Sequence, residues 1–407
     1  MNKDFSKIFP ALKTKIKGKK LIYLDNACTA VKNEPSAAAQ KKRLLEFGYC
    51  AGARSFNEAS LYAQEKFAND RTKIAQSLKA KPSEVVFVSG TTEAANILAS
   101  SFPFEKGDEI FISALEHNSV YLPFWRTALQ KGLKLKIIPI KNYKADFSFF
   151  ASKITEKTKL LCLTMASNIT GGIEDFQKFS SFAKERKVKV FLDAAQYVFS
   201  HGLDFSGLQA DFAAFSGHKI SAPFGIGVFL IREKNFDFLK SSKLGGGTVK
   251  KIEKIGNAYR PIILENNSSF EAGIQNYSGA AALAETLKIL EKEDWTNIRS
   301  KTASLSSFAK SRISSVKGVK ILGEGLEEGS LLSFVFENKK ISPADFQLYA
   351  SNSNKYSFAF RTGKMCADLA CLNLGIESAV RISFGFYNEE KEIELFAQTL
   401  EKFIKTL

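Results

Sequence analysis

Hydrophobic and polar residues alternate along the chain in a pattern that is typical of a mixed α/β protein. Seven short apolar runs are separated by longer polar segments with helical periodicity: EVVFVSG (84–90), DEIFISAL (108–115), KLKIIPI (134–140), KLLCLTMA (159–166), VKVFLDAA (188–195), DFAAFSG (211–217) and GIGVFLI (225–231). Continuous apolar runs indicate strands buried on both faces, so we predict a large domain built on a mostly parallel seven-stranded sheet. The last two runs are too close for a helical crossover, which predicts one antiparallel strand.

From Gly279 onward the pattern becomes long and helical. AAALAETLKILEKEDW begins a helical region that extends past Ser307, and strand-like LLSFVFE (331–337), VRISFGF (380–386) and a closing amphipathic helix follow. A chain of 407 residues is longer than the segment that usually folds around a single hydrophobic core. We therefore expect a large domain of residues 16–285 and a smaller α+β domain made of residues 1–15 and 286–407.

Composition and charge limit the classes of partner. The formal net charge is +16, but apart from KTKIKGKK (13–20) the basic residues are spread over the whole chain. We interpret this as a solvated basic surface and expect no nucleic-acid partner. The sequence has no run of about 18 apolar residues and no signal-peptide core, so we expect a cytoplasmic protein with no membrane partner. The five cysteines are too widely spaced to indicate a disulfide framework or a metal site.

Polar residues gather where the predicted strands end. In open α/β sheets ligands bind beyond the carboxyl ends of the strands. The residues at these ends are GTTEAAN (90–96), His117, Ser167 with Asn168, Asp193 with Gln196, and SGHK (216–219). Taken singly, each has a plain structural alternative, because Thr91 could cap a helix and SGHK could be a polar turn. Five such endings on one sheet favour a shared site.

These residue types suit the chemistry of pyridoxal 5'-phosphate (PLP). A lysine binds the aldehyde covalently, a carboxylate keeps the pyridine nitrogen protonated, and hydroxyls with backbone amides hold the phosphate. An aromatic ring can stack on the cofactor. We assign the covalent link to Lys219, the contact with the pyridine nitrogen to Asp193 and the stacking to His117. The residues that would bind the phosphate are Thr91, Thr92, Ser216 and His218, and those that would bind the ring hydroxyl are Gln196 and Asn168.

The sequence resembles the class V aminotransferase family of fold-type I PLP enzymes, most closely its group II SUF-type cysteine desulfurases and selenocysteine lyases. The resembling segments span nearly the whole chain: YLDNA (23–27), VSGTTEAAN (88–96), LEHNS (115–119), SNITG (167–171), DAAQ (193–196), FSGHK (215–219), FEAG (270–273), RTGKMC (361–366) and VRISFGFYN (380–388). The resemblance implies a fold-type I α/β fold, a homodimer, L-cysteine as substrate, and a sulfur-acceptor protein or scaffold for iron–sulfur cluster or other sulfur-cofactor assembly.

The same resemblance implies roles in the second domain. Cys366 falls where these desulfurases keep their nucleophilic cysteine, and Arg381 falls where they bind the substrate carboxylate. Lys219 and His117 are then catalytic residues, and Arg361 and Asn168 join Arg381 at the substrate. From the residues alone, Cys366 could instead be a small buried hydrophobe.

Other activities on the same scaffold stay open at this stage. A class V aminotransferase would need Lys219 but not Cys366, and a selenocysteine lyase would attack selenium. RTGKMCADLAC (361–371) also resembles the cysteine segment of molybdenum-cofactor sulfurases. Ile274, Lys364 and Met365 depart from the SUF-type pattern, and the role of Cys371 is not assigned.

Overall fold

The computed structural model describes residues 5–46, 48–50, 57–327, 329–353 and 355–407. The strands within these residues are, in chain order, β1 (Lys15–Ile16), β2 (Lys19–Tyr23), β3 (Val85–Val88), β4 (Glu109–Ser113), β5 (Lys134–Ile138), β6 (Ile140–Lys141), β7 (Lys144–Ala145), β8 (Thr158–Thr164), β9 (Lys189–Asp193), β10 (Phe212–Ser216), β11 (Gly227–Ile231), β12 (Val249–Ile255), β13 (Ala258–Ile263), β14 (Val319–Leu322), β15 (Leu331–Phe336), β16 (Tyr356–Ala359), β17 (Arg361–Gly363) and β18 (Ala379–Ser383).

Helices connect most of these strands. The α-helices are α1 (Glu34–Glu46), α2 (Glu58–Ser77), α3 (Thr91–Ser101), α4 (Asn118–Lys131), α5 (Phe147–Lys153), α6 (Phe176–Glu185), α7 (Val198–His201), α8 (Tyr277–Glu293), α9 (Trp295–Ser314), α10 (Pro343–Ser351), α11 (Asp368–Leu374) and α12 (Glu390–Lys405). Short 3-10 helices cover Phe5–Lys7, Pro10–Lys13, Pro82–Glu84, Gly217–Ile220, Glu233–Asn235 and Asn267–Phe270.

The large sheet has seven strands in the order β3-β11-β10-β9-β8-β4-β5. Each of the seven apolar runs contributes one strand, and β11 alone is antiparallel to its two neighbours. The predicted seven-stranded, mostly parallel sheet with one antiparallel strand is therefore confirmed. Asp193 at the end of β9 pairs with Ala214 on β10 and with Thr164 on β8, so these strands end at one edge.

Both faces of this sheet are covered by helices, which explains why its inner strands are largely apolar. The edge strand β5 contains two lysines and is only partly buried. On β4, Ile110 and Ile112 belong to the core cluster that α3 and α4 complete. Phe111, between them, belongs to the opposite cluster, which α2, α6 and α8 complete. The period of two along the strand thus supplies apolar side chains to two cores.

The C-terminal part has its own sheet, in the order β14-β15-β18-β17, with antiparallel pairing. Leu305 of α9, Phe346 of α10 and Phe396 of α12 pack in the core beside it. The long helical region predicted from Gly279 onward is two helices, because Asp294 has a φ of 66° between α8 and α9. Its carboxylate accepts a 2.9 Å hydrogen bond from Thr296 N and caps α9.

The N-terminal segment connects the two parts of the molecule. β2 pairs in parallel with β16, and Asp25 forms a bridge with Ser383 at the end of β18. Further along, Ala30 N donates to His218 O at 3.1 Å, below the edge of the large sheet. The expected boundary at residues 285 and 286 falls inside α8, and the domain limits stay a prediction. None of the helices in the described ranges combines the length and the apolar character that a membrane span requires.

Candidate active site

A cavity of about 270 Å³ lies at the carboxyl edge of the large sheet, against β17 and β18. It is lined by every site residue predicted from the sequence: Thr91, Thr92, His117, Asn168, Asp193, Gln196, Ser216, His218, Lys219, Arg361, Cys366 and Arg381. The topology explains the convergence of the residues from the large sheet, because the ends of β3, β4, β8, β9 and β10 meet at one edge. Arg361, Cys366 and Arg381 reach the same cavity from the C-terminal part. The structure brings these side chains together, while their individual roles stay predictions.

The N-terminus of α3 forms one end of the cavity. The helix begins at Thr91 with Gly90 at the cap position, so Thr91 is not the capping residue. Thr91 N donates to Ser216 Oγ at 2.9 Å, and the two hydroxyl oxygens are 3.2 Å apart. A Cβ on Gly90 would lie 2.6 Å from Ser216 Oγ, so this close approach requires glycine. Free N–H groups at a helix start, together with hydroxyls, suit a phosphate.

Asp193 provides a buried carboxylate at the floor of the cavity. Its Oδ1 accepts from Ala195 N at 2.9 Å, and the residue is only 3% exposed. Burial raises the pKa of Asp193 to about 6, although the backbone hydrogen bond and Lys219 oppose the rise. A cation placed against this carboxylate would lower that pKa again. Asp193 therefore fits a protonated ring nitrogen, as PLP would present.

Lys219 lies on the 3-10 helix that follows β10, and its Nζ donates to Ala27 O. Gln196 Nε2 donates to the same carbonyl at 2.8 Å. Burial lowers the pKa of Lys219 to about 8, and the charge of Arg381 acts in the same direction. A lysine with this pKa is partly neutral near physiological pH, as a nucleophilic or basic amine needs to be.

The two histidines of the cavity are held neutral. His117 precedes α4, where its Nδ1 accepts from Ser119 N at 3.0 Å. Burial lowers its pKa to about 4. His218 Nδ1 lies 3.3 Å from Thr29 Oγ1 and its ring stacks on Phe224, and burial also lowers its pKa to about 4. Neutral imidazoles suit stacking on an aromatic cofactor or donating to its oxygens.

Two arginines share one carboxylate, Asp25, which the sequence reasoning missed. Arg361 Nη2 donates to Asp25 Oδ2 at 2.8 Å, and Arg381 Nη2 lies 3.4 Å from Asp25 Oδ1. Arg381 is 3% exposed, and its Nη1 donates to Asn168 O at 2.9 Å. Within the described residues, Arg381 Nε and Asn168 Oδ1 are buried without a hydrogen-bond partner. Both residues line the cavity and fit a small polar substrate.

Cys366 is exposed at the rim, in a loop with unusual backbone geometry. Met365 and Cys366 have φ values of 51° and 54°, in the left-handed region that costs free energy for a residue with a side chain. The loop is fixed by two hydrogen bonds of 2.8 Å, from Asn118 N to Cys366 O and from Asn168 Nδ2 to Met365 O. Such strain at a thiol that lines a cavity is typical of a functional position.

The basic residues that flank Cys366 in the sequence make their contacts elsewhere. Lys364 Nζ lies 3.5 Å from Asp368 Oδ1, and Arg361 contacts Asp25. The neighbouring Cys371 is buried on α11, and burial raises its pKa to about 11. The alternative that the cysteine is simply a small buried hydrophobic residue therefore describes Cys371 better than Cys366.

Cys28 also lines the cavity and was not identified from the sequence as a site residue. Its Sγ accepts from Arg361 Nη2 at 2.6 Å. The only signal was its place one residue after the resembling segment YLDNA (23–27). In the part of the chain that is described, no three His, Cys, Asp or Glu residues are grouped to hold a metal ion.

Comparisons with known proteins agree with this geometry. The family model for aminotransferase class-V matches residues 22–396. A probable cysteine desulfurase of Borreliella burgdorferi is 32% identical and covers 100% of this chain and 97% of its own length. A cysteine desulfurase of Synechococcus elongatus is 29% identical over 97% of this chain, which spans only 62% of that relative. The solved cysteine desulfurase of Thermococcus onnurineus superposes with a TM-score of 0.89 at 30% identity, covering 99% of this chain and 98% of its own.

Proposed function

The chain belongs to the aminotransferase class-V family, and within it we propose that the protein is a PLP-dependent cysteine desulfurase, which converts L-cysteine to L-alanine and takes the sulfur onto Cys366. The observation that carries this proposal is the convergence of Lys219, Arg381 and Cys366 on one cavity. Relatives at about 30% identity over the whole chain, named cysteine desulfurases, support it.

The residues of the cavity fit PLP at each of its polar groups. The start of α3 with Thr91, Thr92, Ser216 and His218 would hold the phosphate, and Asp193 would hold the ring nitrogen. Lys219 would bind the aldehyde, His117 would cover the ring, and Gln196 with Asn168 would face the ring hydroxyl. When bound, PLP supplies an electron sink for the electrons left on the substrate after a proton is removed.

The chain's own side chains account for the remaining requirements of the reaction. Arg381, supported by Arg361, binds the substrate carboxylate through a planar guanidinium. Once the substrate amine has taken its place at the aldehyde, the free Lys219 Nζ removes the Cα proton, for which a pKa of about 8 is suited. The thiolate of Cys366 attacks the substrate sulfur, so that a sulfur–sulfur bond forms and the carbon–sulfur bond breaks. The electron pair of the broken bond stays with Cβ, which takes up a proton as alanine forms, and the sulfur remains on Cys366 as a persulfide.

The assay for this proposal is the formation of alanine and sulfide from L-cysteine, with and without a reductant. Wild type should produce both, and Lys219→Ala should produce neither. Cys366→Ser should lose alanine formation, because no thiolate remains to accept the sulfur. Cys371→Ser is the matched control five residues away, and we expect at most a modest effect. If Cys366→Ser forms alanine at the wild-type rate, the proposal fails.

We further infer that the protein acts as a cytoplasmic homodimer that passes sulfur to an acceptor protein. Cys366 is exposed, so an acceptor thiol can approach it.

The β12–β13 hairpin projects apolar side chains into solvent, including Ile252 and Tyr259, and Ile274 after FEAG is 77% exposed. A second copy of the chain would cover these residues. Light scattering at micromolar concentration tests the dimer, and a fully active monomer would contradict it.

A further inference from the structure

Cys28 is a second thiol that lines the cavity. It follows Ala27, whose carbonyl accepts from Lys219 Nζ and from Gln196 Nε2. Its side chain is half-buried and its Sγ accepts from the guanidinium of Arg361, whereas Cys366 is exposed at the rim of the same cavity. The Cys28 sulfur therefore lies against a cation inside the cavity, in the partly exposed, electropositive surroundings that are typical of reactive cysteines.

The other three cysteines have different surroundings. Cys162 lies inside β8 and is fully buried, and Cys371 is buried in the cluster below α11. Cys50 is exposed and does not line the cavity. Cys28 and Cys366 are therefore the thiols that a substrate in this cavity would face.

Two buried polar atoms in the same cavity as Cys28 are available to a polar ligand. Arg381 Nε and Asn168 Oδ1 have no hydrogen-bond partner in the described part of the chain, and both residues are at least nine-tenths buried. Unsatisfied buried polar atoms are costly unless a ligand or water completes them. Asp25 connects this position to Cys28, because it binds Arg381 and also Arg361, which donates to the Cys28 sulfur.

We propose that Cys28 is a second sulfur-accepting residue, which takes the sulfane sulfur from the persulfide of Cys366. This inference rests on the proposed function, since cysteine desulfuration supplies that persulfide. The Cys28 thiolate attacks the outer sulfur of the Cys366 persulfide. A sulfur–sulfur bond forms at Cys28, the one at Cys366 breaks, and Cys366 leaves as a thiolate. The transferred sulfur keeps its proton and its oxidation level, so no external oxidant is needed.

Because Cys28 is less exposed than Cys366, the transfer protects the sulfur and frees Cys366 for another turnover. A persulfide on exposed Cys366 is open to reductants, whereas one on half-buried Cys28 is shielded. Transfer also regenerates the Cys366 thiolate, which can accept sulfur from a second substrate molecule. The enzyme then carries two sulfur atoms per chain in the absence of an acceptor.

Mass spectrometry of tryptic peptides tests the proposal directly. The purified enzyme is treated with a small excess of L-cysteine without reductant, and free thiols are alkylated. Residues 21–32 form a peptide with Cys28, and residues 365–381 form one with Cys366 and Cys371, so the experiment uses a Cys371→Ser background. We expect both peptides to gain the mass of one sulfur atom. Residues 44–54, with exposed Cys50, are the internal control and should gain much less.

Two variants establish the direction of transfer. In Cys28→Ser, or Cys28→Ala, only residues 365–381 should gain sulfur, and bound sulfur should fall from two atoms per chain to one. In Cys366→Ser neither peptide should gain sulfur. Added sulfur on Cys366 but not on Cys28 in the parent enzyme would overturn the inference and leave the desulfurase proposal intact. Added sulfur on Cys28 in Cys366→Ser, or as much added sulfur on Cys50 as on Cys28, would also overturn it. If neither peptide gains sulfur and no alanine forms, the proposed function itself fails.

Discussion

Asp25 is the residue on which both arginines of the cavity depend. It lies 336 residues from Arg361 in the sequence and contacts Arg361 and Arg381 with different oxygens. Arg381 is almost fully buried, so its charge relies on this partner more than the partly exposed Arg361 does. Removing one partner of a buried pair leaves an uncompensated charge, which is far more destabilising than breaking a surface pair.

We therefore predict that Asp25→Asn lowers the free energy of unfolding of the cofactor-free protein by about 3 kcal/mol. The matched control is Asp368→Asn, which breaks the exposed pair with Lys364 and should cost less than about 1 kcal/mol. Urea denaturation followed by circular dichroism measures both. Equal losses in the two variants would show that Asp25 is not a buried counter-ion.

Asp193 illustrates the cost of a site prepared for a cation. Its pKa is raised to about 6 from 3.8, so the folded protein holds the proton more tightly than the unfolded chain. The neutral form is retained in both states below about pH 4, and ionisation of the buried carboxylate reduces stability as the pH rises from about 4 to about 6.

Asp193→Asn should consequently stabilise the cofactor-free protein at pH 7, by up to about 3 kcal/mol for a shift of about two pKa units. The gain should shrink towards pH 4 and disappear below about pH 3, where Asp193 is protonated in both states. With PLP bound the order should reverse, because the variant lacks the carboxylate that pairs with the ring nitrogen. Thermal unfolding at several pH values, with and without PLP, checks this. A variant that is less stable at pH 7 without PLP would refute it.

At the scale of elements, the junction of β3, α3, β10 and β11 requires close backbone approach. A Cβ on Gly90 would collide with Ser216 Oγ, and one on Gly227 would lie 2.8 Å from Gly90 Cα. Gly90→Ala should therefore displace the start of α3 and weaken PLP binding by at least tenfold in a fluorescence titration. Gly246→Ala, with open space around it, should bind PLP as wild type does. Equal affinity in both variants would mean that α3 does not bind the phosphate.

The elements that could be predicted from the sequence are those buried on both faces. Most strands of the large sheet are continuous apolar runs, because helices cover them on two sides, and the edge strand β5 is the exception. The β12–β13 hairpin escaped prediction because VKKIEKI (249–255) is mostly exposed and rich in lysine. β1, β2 and β16 are short, and Ile22 is the one fully buried residue among them, so their pairing leaves little signal in hydrophobic periodicity.

At the scale of the whole molecule, the site is completed by contacts between distant parts of the sequence. Polar residues at strand ends could be predicted because parallel strands end at one edge. Arg381 and Cys366 were placed by resemblance, since nothing in their local sequence indicates that β17 and β18 face that edge. Asp25, which contacts the two arginines, and Cys28, which lines the cavity, could not be identified. Their segment is positioned by the pairing of β2 with β16 and by the bridge to Ser383.

The central claim is that Cys366 takes sulfur from cysteine while the carbon skeleton leaves as alanine. Its most direct test is one rapid-quench turnover of enzyme with limiting L-cysteine, in which alanine and enzyme-bound sulfane sulfur are counted together. We predict one sulfur atom on the enzyme for each alanine formed, and neither product above background in Cys366→Ser. Formation of pyruvate without alanine, or alanine without enzyme-bound sulfur, would contradict the claim.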